Sequence, residues 1–244
     1  MIEIKDLSIG YGRRTVLSGL NAVIPSGTFV VMAGCNGSGK STLLRTMAGL
    51  LPPVSGKMIY DGKDLSSLSI PERSRLLSFV NTEKVRIPGL SCHDLVALGR
   101  SPYTGWSGSL SSADESAIEK ALSLAGMSSF SSRMLDTMSD GECQMASIAR
   151  AIAQDTPVIL LDEPTAFLDW PNRRKTALLL KRLSTEAHKT VICSTHDLEV
   201  ALQFSDLLLL LTPQGLFLAP PSSPSLRSRL TAAFGMDFQH PTCL

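Results

Sequence analysis

The sequence predicts an α/β fold: a mostly parallel sheet flanked by helices, with an N-terminal antiparallel β part and an inserted helical lobe. Three observations predict it. Short uncharged runs, Thr28 to Ala33, Val158 to Leu161 and Thr190 to Cys193, have the texture of strands buried on both faces. Helical patterns separate them, as a parallel sheet requires. Between residues 84 and 138 β-branched runs thin out, and serines and helical segments take over. We expect one domain over 1–244: an α/β core at 1–83 and 139–244, and a helical lobe at 84–138.

Each element has its own signal. Ile2, Ile4 and Leu7 alternate, Gly10-Tyr11-Gly12 marks a turn, and Val16 to Ile24 is a second extended stretch ending at Pro25-Ser26-Gly27. The strand at 28–33 leads through a Gly-rich loop to a helix beginning near Lys40. Leu43, Leu44, Met47 and Ala48 form its apolar stripe, and Pro52-Pro53 is the expected stop. Lys57 to Tyr60, between Ser55-Gly56 and Asp61-Gly62, reads as a short hairpin strand. In the lobe, Ser112 to Glu115 reads as a capping box opening a helix whose apolar face is Ile118, Leu122 and Ala125. The loop Ser101 to Ser109 is rich in Gly and Ser around Tyr103 and Trp106. Met145, Ile148, Ala149 and Ile152 mark a helix, Leu178 to Leu183 belong to another, and Leu207 to Leu211 is a further strand.

Composition narrows the function. The 244 residues carry 23 Lys+Arg against 22 Asp+Glu, so no basic excess drives binding to nucleic acid or anionic lipid. Hydrophobic residues make up 43%, enough for a sizeable core. An apolar run such as Leu207 to Leu211 falls far short of the roughly 18 residues that span a bilayer. The start, Met1 to Asp6, carries charge at once and lacks a secretory apolar stretch, so a cytosolic protein is expected. Cys35, Cys92, Cys143, Cys193 and Cys243 show no metal-ligand spacing and read as free thiols.

Three predicted strands end in residues suited to phosphate chemistry, and ligands of open α/β sheets bind beyond such ends. After the first, Gly34-Cys35-Asn36-Gly37-Ser38-Gly39-Lys40-Ser41-Thr42 fits G-x-x-x-x-G-K-[ST] without deviation. Its glycines let backbone N–H groups form an anion nest, and the helix N-terminus adds partial positive charge. Lys40 would meet the β- and γ-phosphates, and Ser41 would ligate Mg²⁺. The bland alternative, a Gly-rich turn capping a helix, leaves the strand–loop–helix context unused. After the second strand come Asp162 and Glu163. An acid behind four apolar residues is costly unless it serves a cation or takes hydrogen bonds. Asp162 fits a Mg²⁺ role, and Glu163 could polarise an attacking water. After the third comes Ser194-Thr195-His196-Asp197. A lone His there is usually structural, but as the third polar strand end His196 suits a sensor of the γ-phosphate. Ser139-Asp140-Gly141-Glu142 reads alone as a capping box; a helix start of this kind also holds phosphate, and here would serve a second molecule.

Taken in order, these motifs resemble the ATP-binding cassette (ABC) ATPases over nearly the whole chain. The resemblance implies a P-loop NTPase core of ABC type with ATP and Mg²⁺ as ligands. It makes Tyr11 the aromatic stacked on adenine and Gly34 to Thr42, with Asn36, Gly37, Ser38 and Gly39, the Walker A loop. Asp162 with Glu163 become Walker B and the catalytic carboxylate, Ala166 to Asp169 the D-loop, and His196 the switch histidine. Ser139, Gly141 and Glu142 belong to the signature, which in this family contacts the γ-phosphate held by the other subunit of a homodimer. Two departures stand out. Asp140 replaces the usual glycine, either pointing outward as a helix N-terminal acid or weakening closure. Asn81 falls where a glutamine is expected near Mg²⁺ and is one methylene shorter.

Leu98 to Tyr103, with Asp94-Leu95-Val96 before it, and the tail Leu230 to Asp237 are similar to importers of iron-siderophores, haem and cobalamin. The resemblance therefore implies an ATP-hydrolysing subunit on the cytoplasmic face of the membrane. It would partner integral permease subunits and, indirectly, a periplasmic or surface substrate-binding protein. The alternatives are a soluble ABC ATPase without a permease, as in iron–sulfur cluster assembly, an ABC ATPase for another substrate, and a module that binds ATP without turnover. A P-loop kinase would leave the signature-like helix unexplained.

Overall fold

The computed structural model describes residues 1–12, 14–83, 85–106 and 108–235. Met236 and Asp237 of the tail pattern, and Cys243, lie outside the described residues. Two sheets form the core. The N-terminal sheet is antiparallel, in the order β2-β1-β4-β5: β1 (Ile2–Tyr11), β2 (Arg14–Ile24), β4 (Ser55–Tyr60) and β5 (Lys63–Asp64). The larger sheet runs β10-β9-β3-β8-β7-β6, built from β3 (Phe29–Ala33), β6 (Leu77–Val80), β7 (Val158–Leu161), β8 (Thr190–Ser194), β9 (Leu207–Thr212) and β10 (Gly215–Ala219). Its strands pair in parallel except the edge pair β9–β10.

Alternation along β3 divides the core. Val30 and Met32 face one apolar cluster with Ile2, Ile4 and Ile9 of the antiparallel sheet and Leu43, Leu44 and Met47 of α1 (Lys40–Met47). Phe29, Val31 and Ala33 face the other, shared with α5 (Asp140–Ala153) and α6 (Trp170–Thr185). Burial on both faces explains why these strands are apolar throughout. The second cluster also takes in Cys92, Leu95 and Val96 of α3 (Cys92–Ala97) and Ile118 and Leu122 of α4 (Ser112–Leu124), so the lobe helices and α5 share one core. The remaining α-helices among the described residues are α2 (Ile70–Leu76), α7 (Leu198–Phe204) and α8 (Pro224–Phe234).

Two local expectations are corrected. Helix α1 stops at Met47, well before Pro52. Gly49 adopts φ 69, and Gly49 N donates to Thr46 O (3.0 Å) while Leu50 N donates to Arg45 O (2.9 Å). This pair satisfies the last carbonyls through a left-handed glycine, so the glycine and not the prolines ends the helix. The capping box of α4 starts one residue earlier than expected, at Ser111 with Asp114. The register follows Asp114, because the same carboxylate also accepts from Arg100 Nε at 2.8 Å.

Candidate active site

Three strand ends and one helix start meet at the C-terminal edge of the parallel sheet. The loop after β3 folds tightly: a Cβ on Gly34 would lie 2.6 Å from Ser38 Oγ and 2.7 Å from Leu211 O, so only glycine fits. Gly39 caps α1 at φ 96, a conformation that glycine alone adopts cheaply. Lys40 is buried, and its Nζ donates to Gly34 O (2.7 Å) and Cys35 O (3.2 Å), folding the ammonium over the loop it closes. Burial pulls the Lys40 pKa down; the carboxylates of Glu163 and Asp162 oppose that pull without cancelling it. Tyr11 is exposed at the end of β1, and Thr42 Oγ1 reaches its hydroxyl at 3.4 Å, which sets an open aromatic face beside the loop.

Asp162 is the hub. It is 1% exposed, and its Oδ1 accepts from Ser41 Oγ (3.0 Å) and from Ser194 Oγ (2.7 Å). A buried carboxylate with hydroxyl partners avoids the cost of an unpaired buried charge. Ser41 and Asp162 thus present hard oxygen donors from two neighbouring elements, a donor set that fits Mg²⁺. Glu163 follows with φ 49, a left-handed backbone rare outside glycine. Glu163 N donates to Ser194 Oγ (2.8 Å), and the Glu163 carboxylate is paired with His196 Nε2. The kink turns Glu163 away from Asp162 and toward His196, so consecutive acids occupy different places.

The structure therefore brings together Lys40, Ser41, Asp162, Glu163 and His196. Asn81 is not joined to them by a hydrogen bond: its Nδ2 donates to Glu83 Oε2 (3.3 Å), while Thr82 Oγ1 donates to the Asp162 carbonyl (3.3 Å). Ser194 is the residue that sequence reasoning passed over. It lies in the quoted strand end, but only the pairing of β7 with β8 shows that it locks both acids.

Ser139 lies elsewhere. It caps α5 in a reciprocal box with Glu142: Ser139 N donates to Glu142 Oε2 (2.6 Å), and Glu142 N to Ser139 Oγ (3.3 Å). Arg133 Nη1 also donates to Glu142 (3.1 Å). Ser139, Asp140, Gly141 and Glu142 border a cleft of about 740 Å³ with Phe167 and Asp169. Among the described residues, none of the 34–42 loop lines that cleft. Asp140 accepts from Arg86 Nη2 at 2.6 Å, a partner that nothing in the local sequence pattern announces.

A phosphate loop after the first strand of a parallel sheet, a buried aspartate across from it and a second acid turned toward a histidine define a P-loop nucleoside triphosphatase. Residues 17–166 match the ABC transporter family, and the chain belongs to that family of ATP-hydrolysing subunits. It is 34% identical over 210 residues to the iron(3+)-hydroxamate import ATP-binding protein of Bacillus subtilis, covering 86% of this chain and 78% of that protein. Among solved structures it is similar to an inward-facing ABC transporter of the metal-chelate type, with a TM-score of 0.83 and 28% identity over 97% of this chain and 89% of that one. It is also similar to a dimeric ATP-binding cassette in a post-hydrolysis state with ADP and Pi, with a TM-score of 0.80 and 29% identity over 91% of this chain and all of that one. Among the described residues no helix is long and apolar enough to cross a membrane.

Proposed function

We propose that this chain powers an importer of a metal chelate, of the iron-siderophore, haem or cobalamin kind, as a homodimer beneath separate membrane permease subunits. The observation that carries the dimer is the separation of two half-sites. The loop at 34–42 and the turn at 139–142 border different spaces in one chain, which supports a second copy completing each half-site. A cassette of similar fold is dimeric. The import relative supports the substrate class, as does the metal-chelate transporter of similar fold.

In this reading Tyr11 stacks on the adenine, and the N–H groups of Asn36, Gly37, Ser38 and Gly39, with Lys40 and Thr42, hold the phosphates. Ser41 and Asp162 would hold Mg²⁺, with Asn81 beside them; the ion supplies charge neutralisation at the phosphates. Ser139, Gly141 and Glu142 of the second copy close on the γ-phosphate and exclude water. Glu163 orients one water and accepts its proton as the oxygen attacks the γ-phosphorus. The bond to the bridging oxygen of ADP breaks, and Lys40 stabilises the charge that develops. His196, which pairs with Glu163, would donate to the γ-phosphate. Loss of that phosphate reopens the dimer, and the lobe carries the motion to the permease.

The test is Glu163→Gln with ATP and Mg²⁺ in size-exclusion chromatography. We expect hydrolysis to be lost and an ATP-dependent dimer to accumulate. Wild-type turnover would remove Glu163 from the mechanism. A chain that copurifies with no membrane protein would favour the permease-free alternative.

A further inference from the structure

We propose that Arg86 is a positioning residue of the trans nucleotide site, needed because Asp140 stands where it does. The inference rests on the homodimer reading above. The first turn of α5 carries two acids, Asp140 and Glu142, at the point where the partner's γ-phosphate would arrive. A bare carboxylate there repels a triphosphate. Each acid has a guanidinium on it: Arg133 on Glu142 at 3.1 Å and Arg86 on Asp140 at 2.6 Å. Both arginines precede the helix in sequence, at very different distances. Arg133 lies just before the helix, whereas Arg86 lies 54 positions back, between β6 and α3. Asp140 borders the 740 Å³ cleft together with Ser139 and Gly141.

The pair does little for folding. Both side chains are partly exposed, 46% for Arg86 and 33% for Asp140, and exposed pairs contribute little stability. Its effect falls on a nearby multiply charged ligand. Cancelling one negative charge beside a triphosphate that is otherwise shielded from solvent raises its local affinity. Arg86 also belongs to the segment that begins at Asn81, so the same ion pair ties that segment to the helix start that meets the partner's nucleotide.

The experiment uses the full chain in the Glu163→Gln background and reads the ATP concentration that half-converts monomer to dimer by sedimentation velocity. Arg86→Ala should raise that concentration about tenfold at low salt, and 0.5 M NaCl should shrink the difference by screening. Arg86→Lys should restore most of the loss. In Asp140→Gly, adding Arg86→Ala should change the half-point less than about twofold, because no charge is left to compensate. Binding of a fluorescent ATP analogue to the monomer should not change in Arg86→Ala. An unchanged half-point in Arg86→Ala overturns the inference alone, as does an equal loss with and without Asp140. Failure of the Glu163→Gln parent to dimerise with ATP, while the monomer still binds nucleotide, overturns the homodimer reading and this inference with it.

Discussion

Ser194 joins the two acids of the candidate site, and its removal gives a magnitude that the structure sets. Its hydroxyl is fully buried, donates to Asp162 Oδ1 at 2.7 Å and accepts from Glu163 N at 2.8 Å. Ser194→Ala deletes a hydrogen bond to a charged acceptor, worth about 1.5–3 kcal/mol, and strands a backbone N–H whose desolvation costs about 1–3 kcal/mol. Asp162 keeps Ser41 Oγ at 3.0 Å, which limits the loss. We expect unfolding free energy to fall by about 3 kcal/mol, and Tm by roughly 6–12 °C for a chain of this size. A domain with about 5–15 kcal/mol of stability stays folded at 25 °C, so the activity change can be read separately. The Glu163 backbone loses the contact that fixes its left-handed φ, so kcat should fall with ATP binding largely kept. Urea unfolding with an unchanged m-value measures the first quantity, and phosphate release measures the second. A loss under about 1 kcal/mol with full turnover would show that Ser194 does not hold the acids.

Two further outcomes are expected. Cys35 is exposed within the phosphate loop, its Sγ 3.4 Å from the Ala233 carbonyl of α8. Burial pushes the Cys92 and Cys193 thiols up to about 11 and about 12, which keeps them protonated and slow near neutral pH. Cys143 is buried too, so N-ethylmaleimide should act at Cys35 before Cys92, Cys143 and Cys193 and abolish binding of a fluorescent ATP analogue, while Cys35→Ser should keep binding after the same treatment; full binding after complete Cys35 modification would refute this. The Asp114 carboxyl is held down at about 2 by Ser111, through its hydroxyl and backbone N–H, and by Arg100. Its folded pKa lies below the unfolded value of 3.8, so its stabilisation is complete above that value and is lost as pH falls toward 2. The stability gap between wild type and Asp114→Asn should close between pH 4 and pH 2 in urea titrations, and a pH-independent gap would contradict the assignment.

What the sequence made legible and what it hid separate by distance along the chain. The loop from Gly34 to Thr42 is local: strand, glycines, lysine and helix start occupy one continuous stretch, and β3 and α1 flank it as expected. The box Ser139–Glu142 is local too, because its donors and acceptors lie three residues apart. The α4 box slipped by one residue because Arg100, 14 positions away, decides which acid faces inward. The helix end at Gly49 was hidden behind two prolines that look like stronger stops, although the helix had already closed on its own carbonyls. Ser194 and Arg86 escaped for the same reason. Each acts on a residue that is remote in sequence, and both are ordinary residue types whose meaning appears only in the pairing. Asp140 is the sharpest case. Read locally, it is either an acid favoured at a helix start or a charge that weakens closure. With Arg86 on it, the acid is ion-paired, and the effect on nucleotide proposed above runs through a residue that no spacing rule connects to it.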